Sequence, residues 1–367
     1  MLYLQHLSIQ NFRNYDSMVA DFSPQINCFT GPNGSGKTSV LDAIYYLSFT
    51  KSYFSLYDYQ LVKQGQQWLR LEGTYKRNGH SEGVTMFWQQ GKKNLKVNNN
   101  DVKKLSEHIG TYPLVMIAPG DINLIYEGSE ERRKFMDGII SQTDKVYLRN
   151  LLDYNRILDQ RNRMFRNYAD GGVLDPIQLE SYNAMIVKLG GELYAKRTDF
   201  LREFIPLFQQ HYRKLSSGNE TVHIQHVSDY QEHSPETCIE LSKHADIAAN
   251  RTTKGIHKDE LEFLIQEFPL KKFASQGQQK SFIIALKLAQ FDYLKQATQT
   301  MPLLLLDDIF EKLDGQRLDV LMSLIAQENF GQIFITDTHS ERLIPAVSAL
   351  SSEIKHFSVN YGTIHEI

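Results

Sequence analysis

The sequence predicts an α/β fold: a mixed sheet around a phosphate-loop core, an antiparallel β subdomain and a helical insertion domain. Three observations carry this expectation. Residues 31–38 read Gly-Pro-Asn-Gly-Ser-Gly-Lys-Thr, set between a strand pattern and a helix pattern. A second apolar strand pattern, Pro302-Leu-Leu-Leu-Leu-Asp307-Asp308, ends in two carboxylates. Between them, residues 130–140, 144–168 and 176–214 carry helical periodicity with little β signal.

In chain order, Leu2, Leu4, Leu7 and Ile9 read as an opening strand. Residues 11–15 (Asn-Phe-Arg-Asn-Tyr) form a turn toward a second strand at Gln25–Phe29. Ser39 to Leu47 predicts a helix. Residues 69–76 and 83–89 suggest a hairpin around 77–80, and Lys92 to Val97 another strand. Pro113–Ala118 is a short apolar run typical of a buried strand. In the helical stretch Leu151, Leu158 and Phe165 mark one face, while Gly171-Gly172, Pro176 and Pro206 break the run. The polar stretch 216–237 holds a short strand, Val-His-Ile-Gln-His-Val. Leu261–Ile265, Met301–Leu306 and Gln332–Ile335 read as strands, and Gln278–Gln296 and Gly315–Gln327 as helices. The expected lobes are 1–125 with 250–367, and a mainly helical insert, 126–249.

Composition sets bounds. A chain of 367 residues with 41% apolar content makes one large domain or two ordinary ones. The formal net charge of −3 does not point to a polyanion partner. Cys28 and Cys238 lie far apart, with no metal-ligand spacing. No secretory signal or long apolar run is present, so the expectation is a cytoplasmic, reduced protein with no membrane role of its own.

The loop at 31–38 has a physical logic. Gly31, Gly34 and Gly36 let the backbone curl, so the loop from Gly31 through Pro32, Asn33, Gly34 and Ser35 to Gly36 turns its N–H groups toward phosphate. Lys37 reaches the β- and γ-phosphates, and the Thr38 hydroxyl suits Mg²⁺. The loop does not separate ATP from GTP. A strand ending at Asp307 beside it would bring that carboxylate to the Mg²⁺ shell. Asp308 would then lie near the γ-phosphate, where it can polarise an attacking water. Taken alone, the same pair is a core strand capped by two turn aspartates. Asp307 follows Lys37 by 270 residues, so a large insertion separates two halves of one nucleotide fold.

Ser275 and Gln278 have capping-box spacing before an apolar helix, and Gly277 leaves its first turn open to close approach. Most such boxes merely start helices; this one stands about 30 residues before the Asp-Asp strand end. One nucleotide does not need two separate phosphate sites in one chain. A sandwich resolves this, with the Ser275–Gly277 site of one subunit closing on the γ-phosphate held by its mate. The expectation is an ATP-dependent homodimer, with Asp314 at its interface. His339 is either a γ-phosphate sensor or a surface-loop histidine.

Basic residues give a second line. Arg149, Arg156 and Arg163 recur every seven residues opposite the apolar stripe, suited to backbone phosphates or to a solvated face. Lys92 and Lys93, with Lys96, Lys103 and Lys104, form another patch. Arg132-Arg133-Lys134 is a third, unless its arginines hold the insert to the core. No feature suggests base-edge readout, so binding would follow DNA structure rather than sequence.

The loop, the Ser-x-Gly-Gln helix start and the Asp-Asp strand end together resemble ABC-type ATPase heads. More closely, the chain resembles the RecF family. The resemblance runs through Asn11-Phe12-Arg13-Asn14-Tyr15, Ala118-Pro119-Gly120-Asp121 and Gly128-Ser-x-x-Arg132-Arg133-x-Phe135-x-Asp137. It continues through Gly255-x-His257-x-Asp259-x-Leu261, Ala274-Ser275-Gln276-Gly277-Gln278-Gln279 and Leu305-Leu306-Asp307-Asp308-x-Phe310-x-x-Leu313-Asp314. The family usually carries a basic residue soon after the Lys-Ser that follows the first helix; here Lys51-Ser52 leads into Tyr53-Phe54. The resemblance implies an ATP-gated clamp at single-strand/double-strand junctions of gapped DNA, working with RecO and RecR to help load RecA. It also implies roles in repair, replication-fork maintenance and the SOS response, and a weak DNA-stimulated ATPase. Two other readings compete. A transport-type ATPase subunit fits neither the 11–15 motif nor the insert. A Rad50- or SMC-like head needs longer heptad arms than this insert supplies.

Overall fold

The computed structural model describes residues 1–216, 220–309, 320, 322–324, 330–348, 351 and 353–367. The described elements run β1 (Leu2–Phe12), β2 (Tyr15–Asp21), β3 (Ile26–Thr30), α1 (Lys37–Phe49), β4 (Trp68–Arg77), β5 (His80–Gln89), β6 (Lys92–Val97), β7 (Asn100–Asp101), α2 (Leu105–His108) and β8 (Leu114–Ile117). Then come α3 (Asn123–Tyr126), α4 (Ser129–Thr143), α5 (Lys145–Ala169), α6 (Pro176–Leu215), β9 (Val222–Val227), α7 (Pro235–Ala249), β10 (Glu260–Ile265), β11 (Phe268–Pro269) and α8 (Leu270–Phe273). The chain closes with α9 (Gln276–Thr298), β12 (Leu303–Leu306), β13 (Ile333–Asp337), α10 (Ser340–Ser348), β14 (Ile354–Asn360) and β15 (Thr363–Glu366). Residues 1–122, 211–218 and 275–367 form one compact unit, and residues 123–210 and 219–274 a second.

The first unit holds two sheets of six strands. One is ordered β2-β1-β4-β5-β6-β7 and the other β15-β14-β3-β13-β12-β8. In β1 the buried apolar residues shift from even positions, Leu2 and Leu4, to odd ones, Leu7 and Ile9. The pairing of β1 with β4 slips between Leu4 and His6, and this bulge keeps both sets on one face. The structure adds β2 between the 11–15 turn and β3, where the sequence pattern predicts no strand. Only Met18 and Ala20 alternate inward after Tyr15, too short a pattern to register without its partner β1.

In the second sheet, β14, β3, β13, β12 and β8 pair in parallel, and β15 adds an antiparallel edge. The strands β3, β13 and β12 and the edge strand β8 are buried along their whole length, as strands covered on both faces must be. Helix α1 is buried at every residue except Thr38, so it lies inside the unit rather than on it.

The second unit combines helices with a three-stranded sheet ordered β11-β10-β9. The sequence-based lobe boundary at 249/250 falls between β9 and β10, which pair with each other from Glu260–Val227 to Ile265–Val222. Asp144 caps α5 by accepting the amides of Val146 and Tyr147, each at 2.9 Å. The buried face of α5 carries Tyr154, Ile157, Arg161, Met164 and Phe165; Leu151 and Leu158 are only half-buried flanks. Pro206 does not break α6, which runs through it. Phe204 and Phe208 on either side are buried, and that packing outweighs one lost backbone hydrogen bond.

Two buried arginines organise this unit. The Arg197 guanidinium donates to Asp137 (3.0 Å), Asp259 (2.7 Å) and the Ile256 carbonyl (2.7 Å). Arg161 donates to Asp246 (2.7 Å), Thr252 (2.8 Å) and Asn183 (2.9 Å). Arg132 forks onto Glu260 at 2.7 and 2.8 Å, and Arg133 donates to the Asp259 carbonyl. Both partners, Glu260 and Asp259, lie within the second unit, as the two arginines do, so these arginines brace it internally.

Candidate functional site

The glycine-rich loop leaves the carboxyl end of β3, as the sequence predicts, and feeds α1. Gly34 (φ 78°) and Gly36 (φ 117°) take left-handed conformations that a side chain would strain. A Cβ at Gly31 would meet the Val359 carbonyl oxygen at 2.1 Å, so β14 leaves room there only for glycine. The α1 N-terminus has no side-chain cap and no acidic residue in its first turn. Its amides and dipole therefore favour an incoming anion. Lys37 is buried, and its ammonium donates to the carbonyls of Gly31 (2.8 Å) and Pro32 (3.2 Å). The outer side of the loop is held by the β1–β2 turn. The Asn14 carboxamide donates to the Ser35 carbonyl (2.9 Å), and the Tyr15 hydroxyl to that of Gly36 (3.2 Å).

The second half of the site stands two strands away, at the end of β12. The Thr38 hydroxyl donates to Asp307 Oδ1 at 2.9 Å, joining motifs 269 residues apart. Thr336 of β13 donates to the same oxygen at 2.9 Å. Burial and then the neighbouring Asp308 carboxylate push the Asp307 carboxyl up to about 6. The donor set is hard oxygen with unspent negative charge, which suits a small divalent cation such as Mg²⁺. Asp308 sits at φ 44°, an uncommon left-handed position for a non-glycine residue. The Thr336 hydroxyl accepts its backbone amide at 2.9 Å and holds it there.

Ser275 caps α9. Its Oγ accepts the Gln278 amide (3.2 Å), and Gln278 Oε1 accepts the Ser275 amide (2.6 Å), which completes the box that the spacing predicts. Ser275 is exposed, and Gly277 is half-buried beside it. Further along α9, Lys287 makes an ion pair with Asp121 at 2.7 Å, and both side chains are almost fully buried. The Tyr53 hydroxyl bonds to both, at 2.9 Å from the Lys287 ammonium. The Tyr53 amide and the Ser52 hydroxyl in turn donate to Asp42 of α1, which also takes Arg13 at 2.6 Å. A buried polar chain thus runs from the helix behind the phosphate loop to the helix that Ser275 starts.

His339 is exposed just before α10, and its backbone amide donates to Asp337 at 2.9 Å. Asp314 lies outside the described residues, as does most of the expected helix at 315–327. Arg149, Arg156 and Arg163 are exposed on α5, with Arg156 paired to Asp153 (2.9 Å) and Arg163 to Asp159 (2.7 Å). Lys92 is exposed, whereas the Lys93 ammonium is turned onto Asp58 (3.0 Å), the Thr50 carbonyl (2.6 Å) and the Tyr46 ring. Sequence reasoning missed Asp42, Lys287 and Thr336. Asp42 and Lys287 are each a single polar residue in an apolar run (Val-Leu-Asp-Ala-Ile and Ala-Leu-Lys-Leu-Ala), and that isolation was the available signal; Thr336 ends the run Ile-Phe-Ile ahead of Asp337-Thr338-His339 and carries no such signal.

Fold and site together define an ABC-type ATPase head of the SMC-like class. The RecF/RecN/SMC N-terminal domain model matches residues 3–359. An SMC head domain from Pyrococcus furiosus shares the fold at a TM-score of 0.59 and 16% identity. Within that class the similarity is more specific. The DNA replication and repair protein RecF of Flavobacterium johnsoniae is 42% identical over 98% of this chain and 100% of its own. That of Bacteroides thetaiotaomicron is 42% identical over 99% of this chain and 98% of its own. A solved structure of the recombination mediator RecF with ATP, in the RecFOR pathway, superposes at a TM-score of 0.89 and 26% identity, covering 100% of this chain and 98% of that one. The chain belongs to the RecF family of DNA replication and repair proteins.

Proposed function

We propose that this chain is an ATP-dependent DNA-binding recombination mediator that acts as a nucleotide-sandwiched homodimer. One observation carries the reading: the 2.9 Å hydrogen bond from Thr38 to Asp307, which sets a phosphate loop and a strand-end carboxylate into one site. In this reading residues 31–38 hold ATP, and Thr38 with Asp307 holds Mg²⁺, which supplies charge neutralisation when bound. Asp308 orients water for a weak, DNA-stimulated hydrolysis. Ser275, Gly277 and Gln278 of one subunit, with Asp314, close on the γ-phosphate of the other, and His339 senses it. ADP lacks that phosphate, so hydrolysis loosens the clamp.

The partner is DNA at single-strand/double-strand junctions of gapped substrates. Arg149, Arg156 and Arg163 of a helical inserted lobe, with Lys92 and Lys93, meet backbone phosphates. RecR and RecO act with it in cytoplasmic repair, replication restart and the SOS response. Named relatives of the RecFOR pathway and the exposed arginine row support this. Among the described residues no helix is long and apolar enough to cross a membrane.

Light scattering tests the core of the proposal. Wild type should be dimeric with ATP and monomeric with ADP, and Ser275→Arg should bind ATP yet stay monomeric. A Ser275→Arg protein that dimerises normally with ATP rules the sandwich out.

A further inference from the structure

The described first unit contains four two-residue hairpin turns of one kind, with positive φ at both central residues, among them Asn98-Asn99 (49° and 64°) between β6 and β7. Asn78-Gly79 (49° and 86°) joins β4 to β5, and Gln90-Gly91 (49° and 79°) joins β5 to β6. Tyr361-Gly362 (39° and 84°) joins β14 to β15, with Asn360 facing Thr363. Such turns favour Asn or Gly first, because an aromatic side chain is strained at positive φ. Tyr361 is nonetheless 73% exposed, so neither turn geometry nor burial accounts for an aromatic there. A strained, exposed ring at one turn out of four asks for a use.

The position of this turn suggests one. β3, which leads into the phosphate loop, lies between β13 and β14. Asp307 ends β12, on the β13 side, and the Thr38–Asp307 bond marks that side as the terminal-phosphate end. A nucleotide laid along the loop therefore carries its base toward the other side, that of β14 and β15. The Tyr361-Gly362 turn stands there against the loop. The Gly362 amide donates to the Ser35 carbonyl at 3.1 Å, and a Cβ on Gly362 would meet the Asn14 carbonyl oxygen at 2.6 Å. Beside it, the Asn14 carboxamide donates to the same Ser35 carbonyl at 2.9 Å, so both turns brace the loop at one residue.

We infer that the Tyr361 ring is a stacking platform for the base of the nucleotide held at residues 31–38. The inference rests on the nucleotide-binding reading above and adds a base-recognition residue to it. Stacking on a π-face does not distinguish adenine from guanine, so the ring contributes affinity for a purine rather than choice between purines.

Equilibrium dialysis with ATP and with inorganic triphosphate separates ring, turn and loop. Tyr361→Asn keeps a turn-competent residue and removes the ring; Tyr361→Phe keeps the ring. The Asn variant should bind ATP about tenfold more weakly, an effect of the size base–aromatic stacking supplies. It should bind inorganic triphosphate as wild type does, and the Phe variant should match wild type for both. Unchanged ATP affinity in Tyr361→Asn overturns the inference, as does an equal loss of triphosphate binding, which would implicate the turn. If wild type and Lys37→Ala bind ATP alike, the nucleotide site itself is wrong and the platform falls with it.

Discussion

Lys287 and Asp121 form a buried ion pair at 2.7 Å, with side chains only 5% and 4% exposed. The Tyr53 hydroxyl closes it on one side, so each charge has compensation in a place that water does not reach. Such a pair adds little net stability over an apolar pair but is costly to break from one side. It ties the α9 helix, and with it the Ser275 cap, to the turn after β8.

Removing one partner should therefore hurt more than removing both. Lys287→Met is expected to cost about 3–5 kcal/mol in urea unfolding, because Asp121 is left charged and buried. The double variant Lys287→Met/Asp121→Leu should recover most of that loss. Additive losses would show that the two residues do not act as a pair.

Asp307 makes a pH prediction. Its carboxyl is raised from 3.8 to about 6 in the fold, so the folded state holds that proton more tightly than the unfolded chain. Stability from this group is full below pH 3.8 and falls as pH rises through about 6. Asp307→Asn keeps the acceptor for Thr38 and Thr336 and removes the charge. It should be more stable than wild type at pH 8 by roughly 3 kcal/mol, with the difference vanishing near pH 4. Equal stabilities at pH 8 would rule out the raised carboxyl.

His257 in the second unit works the opposite way. Burial pushes its imidazole down from 6.5 to about 4, and it bonds to the Tyr154 hydroxyl (2.9 Å) and the Thr252 carbonyl (3.1 Å). The unfolded chain binds the proton more readily, so this contribution is present above pH 6.5 and lost as pH falls toward 4. His257→Gln should flatten stability against pH in that window while lowering it at pH 7. Urea midpoints at pH 4.5 and 7 read the slope, and an unchanged slope would show that another group sets the acid limit.

Gly31 tests the backbone of the site. An added methyl would stand 2.1 Å from the Val359 carbonyl, a backbone atom that cannot swing aside. Gly31→Ala is expected to cost about 1–3 kcal/mol by overpacking and to weaken nucleotide binding by moving the loop. Gly34→Ala meets open space, and its cost is that of φ 78° alone. Thermal melts with and without ATP should rank Gly31→Ala as the more damaging; the reverse order would mean that the β14 contact does not constrain the loop.

The motifs that define the class were legible in the sequence, because each is local. The loop at 31–38 needs glycine at fixed positions, the Ser275–Gln278 box spans one turn, and an apolar strand ending in Asp307-Asp308 stands out without a partner. Helical periodicity likewise located α4, α5 and α9, and unbroken apolar runs located β8 and β12. Only the tertiary structure decided what depends on pairing over long sequence separation. It supplied β2, whose short alternation means nothing without β1, and the bulge at Leu4–His6 that reconciles two phases of burial. It placed Arg161 and Arg197 inside the second unit, where carboxylates far along the chain compensate their charge. It also set Thr38 against Asp307, raised that carboxyl by burial, and stood the Tyr361 turn against Ser35. Hydrogen bonds and desolvation depend on distance in space, and a linear pattern carries that information only where the neighbours in space are neighbours in sequence.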